Sequence, residues 1–329
     1  MSALNSSLST NMSFVHPEYF FISGFSDMPF SKYYFVFLFF IYITSVFENS
    51  VVFMVILTDR SLHIPKYIGI FNLALADFGE TNAMIPNLMK TFVFDSQYIS
   101  YGACLTNMFF VFVFSGVQSL TLVVLAYDRF IAICLPLRYH VIMNNSFIFV
   151  VLIAVWSIIT FLMGMIVISI TRLSFCKTNV VKSYFCDHGP IYTIACNDNS
   201  INYFMAKLCT VLLIYAPLVA IVLSYLGIFL SLRRITTWEE RLKALKTCVS
   251  HLLAVGIFFL PLLGIYLAAL ICPLHPNARI ISTSLSSALP PMLNPIIYVL
   301  NTTEFKGVIL KVLKKRSTQL SKNNIVMCY

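Results

Sequence analysis

The sequence predicts an all-α membrane protein, a bundle of seven transmembrane helices followed by a short amphipathic helix. Composition, seven apolar stretches and an uneven distribution of positive charge carry this prediction. Of the 329 residues, 59% are hydrophobic and only 11% are charged, whereas a soluble domain is about half apolar and a quarter charged. A water-soluble fold could not bury this much apolar surface, so a single membrane domain is expected.

Seven apolar stretches are each long enough to cross about 30 Å of hydrocarbon as a helix. They cover residues 33–57, 67–89, 101–125, 147–171, 203–232, 246–271 and 280–300. The chain therefore divides into an N-terminal tail (1–31), a seven-span domain (32–300) and a C-terminal tail (301–329).

The N-terminal tail contains no Lys or Arg, so it lacks the charged region of a cleavable signal peptide. The first span is expected to act as an uncleaved signal. Asn5 and Asn11 each begin an Asn-x-Ser sequon, and glycosylation at either would place this tail outside the cell. Such sequons also arise by chance.

The positive charges give the same orientation. With the N-terminus outside, 15 of the 22 Lys and Arg residues fall on inner segments and 6 on outer ones, as the positive-inside rule requires. The net charge of +9 then reflects inner loops that face anionic membrane lipid, and it does not argue for nucleic-acid binding. A multi-pass plasma-membrane protein with a cytoplasmic C-terminus is expected.

The C-terminal tail begins with an amphipathic pattern. Apolar residues recur at helical spacing while Lys and Arg occupy the other faces; the apolar positions are Phe305, Val308, Ile309, Val312 and Leu313. This pattern indicates a short helix on the inner leaflet.

Four of the nine cysteines lie on the expected outer face, in an oxidising compartment: Cys104, Cys176, Cys186 and Cys196. Their density predicts disulfides, but four cysteines allow three pairings and the spacing does not choose among them. Cys134, Cys209, Cys248 and Cys272 fall in or near spans, where packing is the simpler interpretation.

Ordered motifs connect the chain to a known family. They are 62–67 (LHIPKY), 73–77 (LALAD), 125–134 (LAYDRFIAIC), 136–139 (PLRY), 224–225 (SY), 246–252 (KTCVSHL) and 290–298 (PPMLNPIIY). In this order and at these depths the chain resembles the odorant receptors of the rhodopsin-like G-protein-coupled receptors, and within them the fish-type receptors. The resemblance implies pairing of Cys104 with Cys186 and of Cys176 with Cys196.

Two departures from the family pattern stand out. Phe130 occupies the place of a usual Tyr, and Glu48-Asn49 replaces a usual Gly-Asn in the first span. A carboxyl at bilayer depth is costly, so Glu48 is expected to be protonated, to face other helices or to have a polar partner.

The resemblance implies a switch at the inner end of the third span. There Asp128 holds Arg129 in the inactive receptor, and activation frees Arg129 toward a heterotrimeric G protein of the stimulatory, cAMP-linked type. The further members of this expected switch are Tyr225, Lys246 and Tyr298. The alternative for Arg129 is an interfacial arginine that reaches lipid phosphate.

Polar residues inside the spans form a second candidate site. Asp77 and Glu80 share one helical face, and Gln118 and Asn294 are expected at similar depth; Glu48 and Asn49 complete the set. Intramembrane ionisable residues are functional candidates, and the resemblance implies a polar switch in which sodium is a candidate ion. The alternative is a hydrogen-bonded network that only fixes helix packing.

Carry-over of family positions puts a small-odorant pocket between spans three, five, six and seven. It comprises Met108, Val111, Phe112, Ser115, Cys209, Leu213, Phe259, Leu262, Leu263, Tyr266 and Ser284. Apolar residues at such positions are also ordinary core. Val111 and Leu270 stand where related receptors carry an acid or an arginine, so a weakly polar ligand fits best, unless Glu80 reaches the cavity.

The sequence gives no support for an enzyme. Its six histidines show no metal-binding spacing, and there is no phosphate-binding glycine loop or nucleophile elbow. A transporter or channel is disfavoured, because seven spans do not divide into two equal inverted halves. A receptor for peptides, lipids or chemoattractants is the alternative within the receptor class.

Overall fold

The computed structural model describes residues 14–25, 30–94, 96–234, 237–271, 275–301 and Gly307. The sequon residues Asn5 and Asn11 lie outside this part of the chain, as does the expected amphipathic helix at 305–316 apart from Gly307. Cys272 and the side chains of Tyr266 and Leu270 also lie outside the described residues.

Long helices dominate the structure. They are α1 (Ser31–Thr58), α2 (Pro65–Phe94), α3 (Tyr101–Cys134), α4 (Tyr139–Ile142), α5 (Asn145–Thr171), α6 (His188–Thr193), α7 (Ser200–Thr210), α8 (Ala216–Leu232), α9 (Trp238–Ile271) and α10 (Pro276–Asn301). A π-helical segment, Val211–Tyr215, joins α7 and α8 into one rod. The seven long rods match the seven expected spans, which confirms the fold class.

Among the described residues, five of these rods are both long enough and apolar enough to cross a membrane: α1, α3, α5, Ser200–Leu232 and the first part of α9. The other two, α2 and α10, have 30 and 26 residues. Their length suffices, but they contain more polar residues, including Asp77, Glu80 and Asn294.

The helices extend beyond the apolar stretches. The third span continues to Cys134, and α9 begins at Trp238, well before residue 246. At the starts of α3 and α5, side chains satisfy the first amide groups: Ser100 accepts from the Ala103 amide and Asn144 from the Phe147 amide. Hydropathy therefore located each span and several helix ends, such as Tyr101, Thr171 and Ile271, but it did not locate the ends at Cys134 and Trp238.

The third span is the central helix of the bundle. It packs against α2, α5, α8 and α9, while α10 packs against α1, α2 and α9. Two large apolar clusters fill the interior, one around Leu73, Leu122 and Phe258 and one around Met108, Val117 and Ile159. Asp77, Glu80, Gln118, Asp128, His251 and Asn294 are buried between these helices.

A small sheet closes one end of the bundle. Strand β1 (Tyr19–Ile22) runs between β2 (Tyr98–Ser100) and β3 (Val180–Val181). It pairs antiparallel with β2, Phe20 opposite Ile99, and parallel with β3, Phe21 opposite Val180. The sequence did not predict these strands. We call this the sheet end and the opposite end, where α3 reaches Cys134, the Arg129 end.

Two disulfides fasten the long loop between α5 and α7. Cys104 at the start of α3 pairs with Cys186, and Cys176 pairs with Cys196, with Cα–Cα distances of 5.4 and 6.1 Å, both within the usual range. The pairing implied by the family resemblance is confirmed.

Candidate functional site

At the Arg129 end, Asp128 has two partners. An Arg129 guanidinium nitrogen lies 3.5 Å from Asp128 Oδ2, and the Tyr139 hydroxyl donates a 2.8 Å hydrogen bond to Asp128 Oδ1. Asp128 is buried, and only 13% of the Arg129 side chain is exposed. Because the 3-10 turn Pro136–Arg138 and α4 turn the chain back against α3, Tyr139 can reach Asp128.

A histidine joins three spans beside this pair. His251 Nε2 lies 3.0 Å from the Leu122 carbonyl, and His251 Nδ1 lies 3.0 Å from the Tyr225 hydroxyl. A carbonyl only accepts, so Nε2 carries the proton and Nδ1 accepts from Tyr225. The contact therefore fixes both the tautomer of His251 and the spacing of the third, fifth and sixth spans.

A small cavity of about 30 Å³ lies between these groups, bordered by Arg129, His251 and Tyr298 among others. It has room for about one water molecule. Arg129 and Tyr298 thus face the same space, and Tyr225 reaches it through His251. Lys246, the remaining expected switch residue, is exposed at the surface of α9.

Deeper in the bundle, two carboxyls occupy one face of α2. Asn294 donates a 2.9 Å hydrogen bond to Asp77 Oδ2, and Gln118 donates a 2.6 Å hydrogen bond to Glu80 Oε2. All four side chains are at most 3% exposed. The structure therefore brings together α2, α3 and α10 through two amide–carboxyl pairs.

Several oxygens in this group lack a hydrogen-bond partner among the described residues: Asp77 Oδ1, Gln118 Oε1 and Asn294 Oδ1. Unsatisfied buried acceptors are costly, and hard cations prefer such oxygens. This donor set fits a sodium ion, a proton or water.

Of the two predicted polar-site residues in the first span, Glu48 and Asn49, only Asn49 bonds to another span within the described part of the chain. Asn49 donates to the Ser45 and Pro291 carbonyls, at 2.9 and 2.8 Å, and so ties the first span to the seventh. Glu48 is partly exposed, and its Oε2 has no hydrogen-bond partner among the described residues. Glu48 therefore does not join the network around Asp77.

A polar connection runs from Glu80 toward the sheet end. Ser287 interacts electrostatically with Glu80. The Tyr184 hydroxyl lies 3.5 Å from Ser287 Oγ and 3.2 Å from the Thr283 carbonyl. Burial raises the pKa of Tyr184 above its usual value, so its hydroxyl stays protonated and donates. The loop between α5 and α7 is thus linked to the two carboxyls.

The same loop has further anchors. Arg279 lies 3.7 Å from Asp187 Oδ2 and donates a 2.6 Å hydrogen bond to the Lys182 carbonyl. His188 is buried and donates from Nε2 to Asn202 Oδ1 at 3.2 Å. Burial raises the pKa of Asp187, against the opposing effect of Arg279, and lowers the pKa of His188.

Comparison with known proteins identifies the family. The family model described as "Olfactory receptor" matches residues 38–316. The chain belongs to the olfactory receptor family. It is therefore a multi-pass, odorant-type G-protein-coupled receptor, not an enzyme, and family membership implies a small-molecule ligand and coupling to a G protein.

Individual olfactory receptors are similar in sequence to this chain over most of its length. Olfactory receptor 1500 of Rattus norvegicus is 33% identical over 282 residues, which cover 85% of this chain and 89% of the relative. Olfactory receptor 1M1 of Homo sapiens is 33% identical over 306 residues, covering 92% and 96%. Because these relatives are mammalian, the likeness to fish-type receptors stays a prediction.

In this olfactory receptor the expected pocket residues fall into different neighbourhoods. Met108, Phe112, Cys209 and Leu213 belong to one apolar cluster, and Phe259, Leu262 and Leu263 to another. Val111 packs with Tyr184 in a third. Three predicted residues remain. Ser115 is partly buried on α3, Ser284 Oγ lies 2.7 Å from the Tyr34 hydroxyl of the first span, and the side chain of Tyr266 lies outside the described residues.

Sequence reasoning missed several residues of the olfactory receptor's polar contacts: Tyr139, Tyr184, His251 and Ser287. A signal existed for His251, since a histidine inside an apolar span is a functional candidate by default. Tyr139 lay within a quoted motif but has no unusual local pattern. Only the three-dimensional contacts identify Tyr184 and Ser287.

Proposed function

We propose that this olfactory receptor binds a small, weakly polar odorant in the sheet-end half of the bundle and activates a stimulatory, cAMP-linked G protein at the Arg129 end. The observation that carries the proposal is the pair of restraints on the Arg129 end, Asp128 with Arg129 and Tyr225 with His251. Movement of the sixth span away from the third would break the contact of His251 with Leu122. Asp128 and Arg129 are neighbours on the third span, so release of Arg129 from Asp128 is a separate change at the end of that helix.

The proposed orientation puts the sheet end outside the cell and the Arg129 end in the cytoplasm, at the plasma membrane. Two features support it. Lys and Arg are concentrated toward the Arg129 end, and both disulfides lie at the sheet end, where an oxidising compartment preserves them.

The proposed pocket lies among spans three, five, six and seven. Its mainly apolar side chains favour burial of an apolar ligand body, and Ser115 supplies a hydroxyl. Val111 offers no charge to anchor a cationic amine. Because Ser284 already contacts Tyr34, its hydroxyl is a weaker candidate for ligand contact than Ser115.

Polar contacts provide a route from the pocket region to the centre of the bundle. Tyr184, Ser287, Glu80 and Gln118 follow one another from the loop to the third span. A ligand that displaced Tyr184 or the third span would alter the partners of Glu80. Asp77, one turn along α2, would experience that change directly.

Asp77, Gln118 and Asn294 would hold a sodium ion if one binds in this network. A cation there supplies positive charge that offsets the two buried carboxyls. The residues themselves position the oxygens: Asn294 orients Asp77, and Gln118 orients Glu80. The same arrangement would stabilise the inactive spacing of α2, α3 and α10.

At the Arg129 end, signalling follows from a two-state equilibrium. In the structure, Asp128 holds Arg129 and Tyr225 holds His251. A ligand with higher affinity for the arrangement in which these contacts are broken would raise the population that the G protein recognises.

The test is functional expression with a broad odorant panel and a cAMP readout. An odorant-dependent rise that disappears in Arg129→Ala at equal surface delivery is expected. Silence toward every odorant despite proven delivery, or signalling unaffected by Arg129→Ala, would contradict the proposal. Ligand-driven flux in liposomes that contain only this protein would instead favour a transporter or channel.

A further inference from the structure

A groove runs along the outside of the bundle between α2 and α3, in the half nearer the sheet end. Its volume is about 890 Å³, which is in the range of ligand-binding sites. The groove does not overlap the proposed odorant pocket, since its walls come from the other side of α3. Its inner walls are largely apolar: Leu75, Phe78, Gly79, Ala83, Phe110 and Phe114.

The groove opens toward lipid. Leu75 and Phe110 are 39% and 44% exposed although they lie on membrane spans, so their free faces point outward from the bundle. Gly79 lets the Phe114 ring lie flat against α2 as part of the wall, because the ring occupies the position where a Cβ would stand. The apolar walls are therefore built to contact another apolar chain.

The mouth of the groove is polar and positively charged. Lys90, Asn87, Tyr98 and Ser100 line it, together with Tyr19 from the N-terminal strand. Lys90 is exposed, and it takes part in neither of the two ion pairs that the described residues form. The Lys90 ammonium at the mouth and the apolar walls below it are together complementary to an amphiphile that carries an anionic headgroup.

The length of the groove matches one leaflet. From Leu75 to Lys90 α2 rises by about 22 Å at 1.5 Å per residue. One leaflet with its headgroup layer is about 20 to 22 Å thick, half of the 40 to 45 Å of a whole bilayer. The apolar end therefore lies near the bilayer centre and Lys90 near the headgroups of the leaflet on the sheet side.

We propose that this groove binds one phospholipid of the leaflet on the sheet side, with an acyl chain against Phe78 and Phe114 and its phosphate beside Lys90. Under the proposed orientation this is the outer leaflet. The lipid would touch α2, α3 and, through Tyr19 and Tyr98, strands β1 and β2. It would therefore stabilise the sheet against the helices.

The test uses the full-length receptor in phosphatidylcholine nanodiscs that contain a phosphatidylcholine with a photoactivatable group on one acyl chain. After illumination, the crosslinked peptides are mapped by mass spectrometry. Crosslinks concentrated on residues 75–83 and 103–114 are expected. Crosslinks spread over every lipid-facing helix in proportion to its exposed surface would overturn the proposal.

Two pairs of variants sharpen the test. Ala83→Trp fills the groove and should remove most of the crosslinks there, whereas Ala154→Trp on the exposed face of α5 should leave them. Lys90→Gln, an exposed position that the fold does not need, should lower groove crosslinking about two- to fivefold, the scale of one interfacial ion pair. Lys177→Gln, on the same end of the protein, should not.

The same preparation also distinguishes a phospholipid in the groove from an odorant in the groove. Excess odorant that activates the receptor should leave groove crosslinking unchanged, because the groove and the proposed odorant pocket are separate. Loss of crosslinks at odorant concentrations that saturate signalling would assign the groove to the odorant and overturn the lipid proposal. Groove crosslinking is independent of G-protein coupling, so it can succeed even if the proposed function fails.

Discussion

The Tyr225 hydroxyl donates to His251 Nδ1 across 3.0 Å while His251 Nε2 holds the Leu122 carbonyl, so one imidazole ties the fifth and sixth spans to the third. Tyr225→Phe removes only the hydroxyl. A hydrogen bond of this kind contributes about 0.5 to 1.5 kcal/mol. We expect ligand-independent cAMP signalling to rise by roughly two- to tenfold, measured at matched surface expression.

The control is Tyr215→Phe, because Tyr215 is on the same span but is 41% exposed on its surface. It should leave basal signalling unchanged. Equal effects of the two substitutions would show that the contact with His251 does not restrain the receptor.

The Asp128 carboxylate gives a second prediction. Asp128→Asn keeps the shape and the acceptor for Tyr139 but removes the charge opposite Arg129. Basal signalling should rise by about tenfold or more, because Asp128 and Arg129 are almost fully buried and removing one partner of a buried ion pair costs several kcal/mol. Asp198→Asn, in an exposed part of the loop, is the matched control. Unchanged basal signalling in Asp128→Asn would argue that Arg129 is held by other groups.

Gly227 and Phe130 form a tight contact between the fifth and third spans. A Cβ at Gly227 would lie 2.5 Å from Phe130 Cε2, so Gly227→Ala forces the ring to move and should destabilise the receptor by about 1 to 3 kcal/mol. Gly164→Ala has no atom within 4 Å and should be neutral or slightly stabilising. Thermal unfolding of the purified receptor measures both, and Phe130→Leu should rescue Gly227→Ala.

The two disulfides should differ in their contributions. Cys104–Cys186 closes 82 residues and Cys176–Cys196 only 20. Loop-closure entropy predicts contributions of about 4 to 5 and about 3 kcal/mol, respectively. Surface delivery and melting temperature should therefore fall more in Cys104→Ser than in Cys176→Ser, with Cys209→Ala, a free cysteine, as the control. The reverse order would contradict the entropic account.

His188 should make the stability of the folded receptor depend on pH. Burial lowers its pKa below the usual 6.5, so the unfolded chain binds more protons than the folded one as the pH falls below about 6.5. Stability of the sheet end is complete above that pH and should decline below it. Asp187 is only partly buried, with 20% of its side chain exposed. Its raised pKa acts in the opposite direction, because its protonation favours the folded state.

Melting temperature as a function of pH tests this effect. His188→Gln keeps Asp187 but removes the imidazole, so the decline below about pH 6.5 should flatten. His140→Gln, an exposed position at the opposite end, should leave the curve unchanged. A decline that persists fully in His188→Gln would assign it to another group.

The spans were predictable because the bilayer imposes one requirement on every crossing segment, an apolar helix of about twenty residues. Several helix ends were not, because the last turns of α3 up to Cys134 and the polar turns before residue 246 continue the backbone hydrogen bonding of the helix beyond the apolar stretch. The sheet was not predictable either. Tyr19–Ile22 has only four residues, and its partners lie about 80 and 160 positions away in the chain.

Some residues of the candidate site were predictable from the sequence and others were not. Helical spacing put Asp77 and Glu80 on one face, and the expectation of equal depth put Asn294 and Gln118 beside them, where the structure has them. The disulfide pairing needed the family resemblance. Contacts between side chains on separate segments, such as Tyr184 with Ser287 or Ser284 with Tyr34, leave no periodic pattern in the sequence and so required coordinates.

The central strand of the sheet also constrains biogenesis. Tyr19–Ile22 emerges from the ribosome first, yet its neighbour Val180–Val181 follows the fourth span. At about 5 to 20 residues per second, the strand waits on the order of ten seconds or more for that partner. During this interval its aromatic residues and its unpaired edge are open to chaperones and to aggregation, so quality control of the nascent chain has a defined window before the sheet closes.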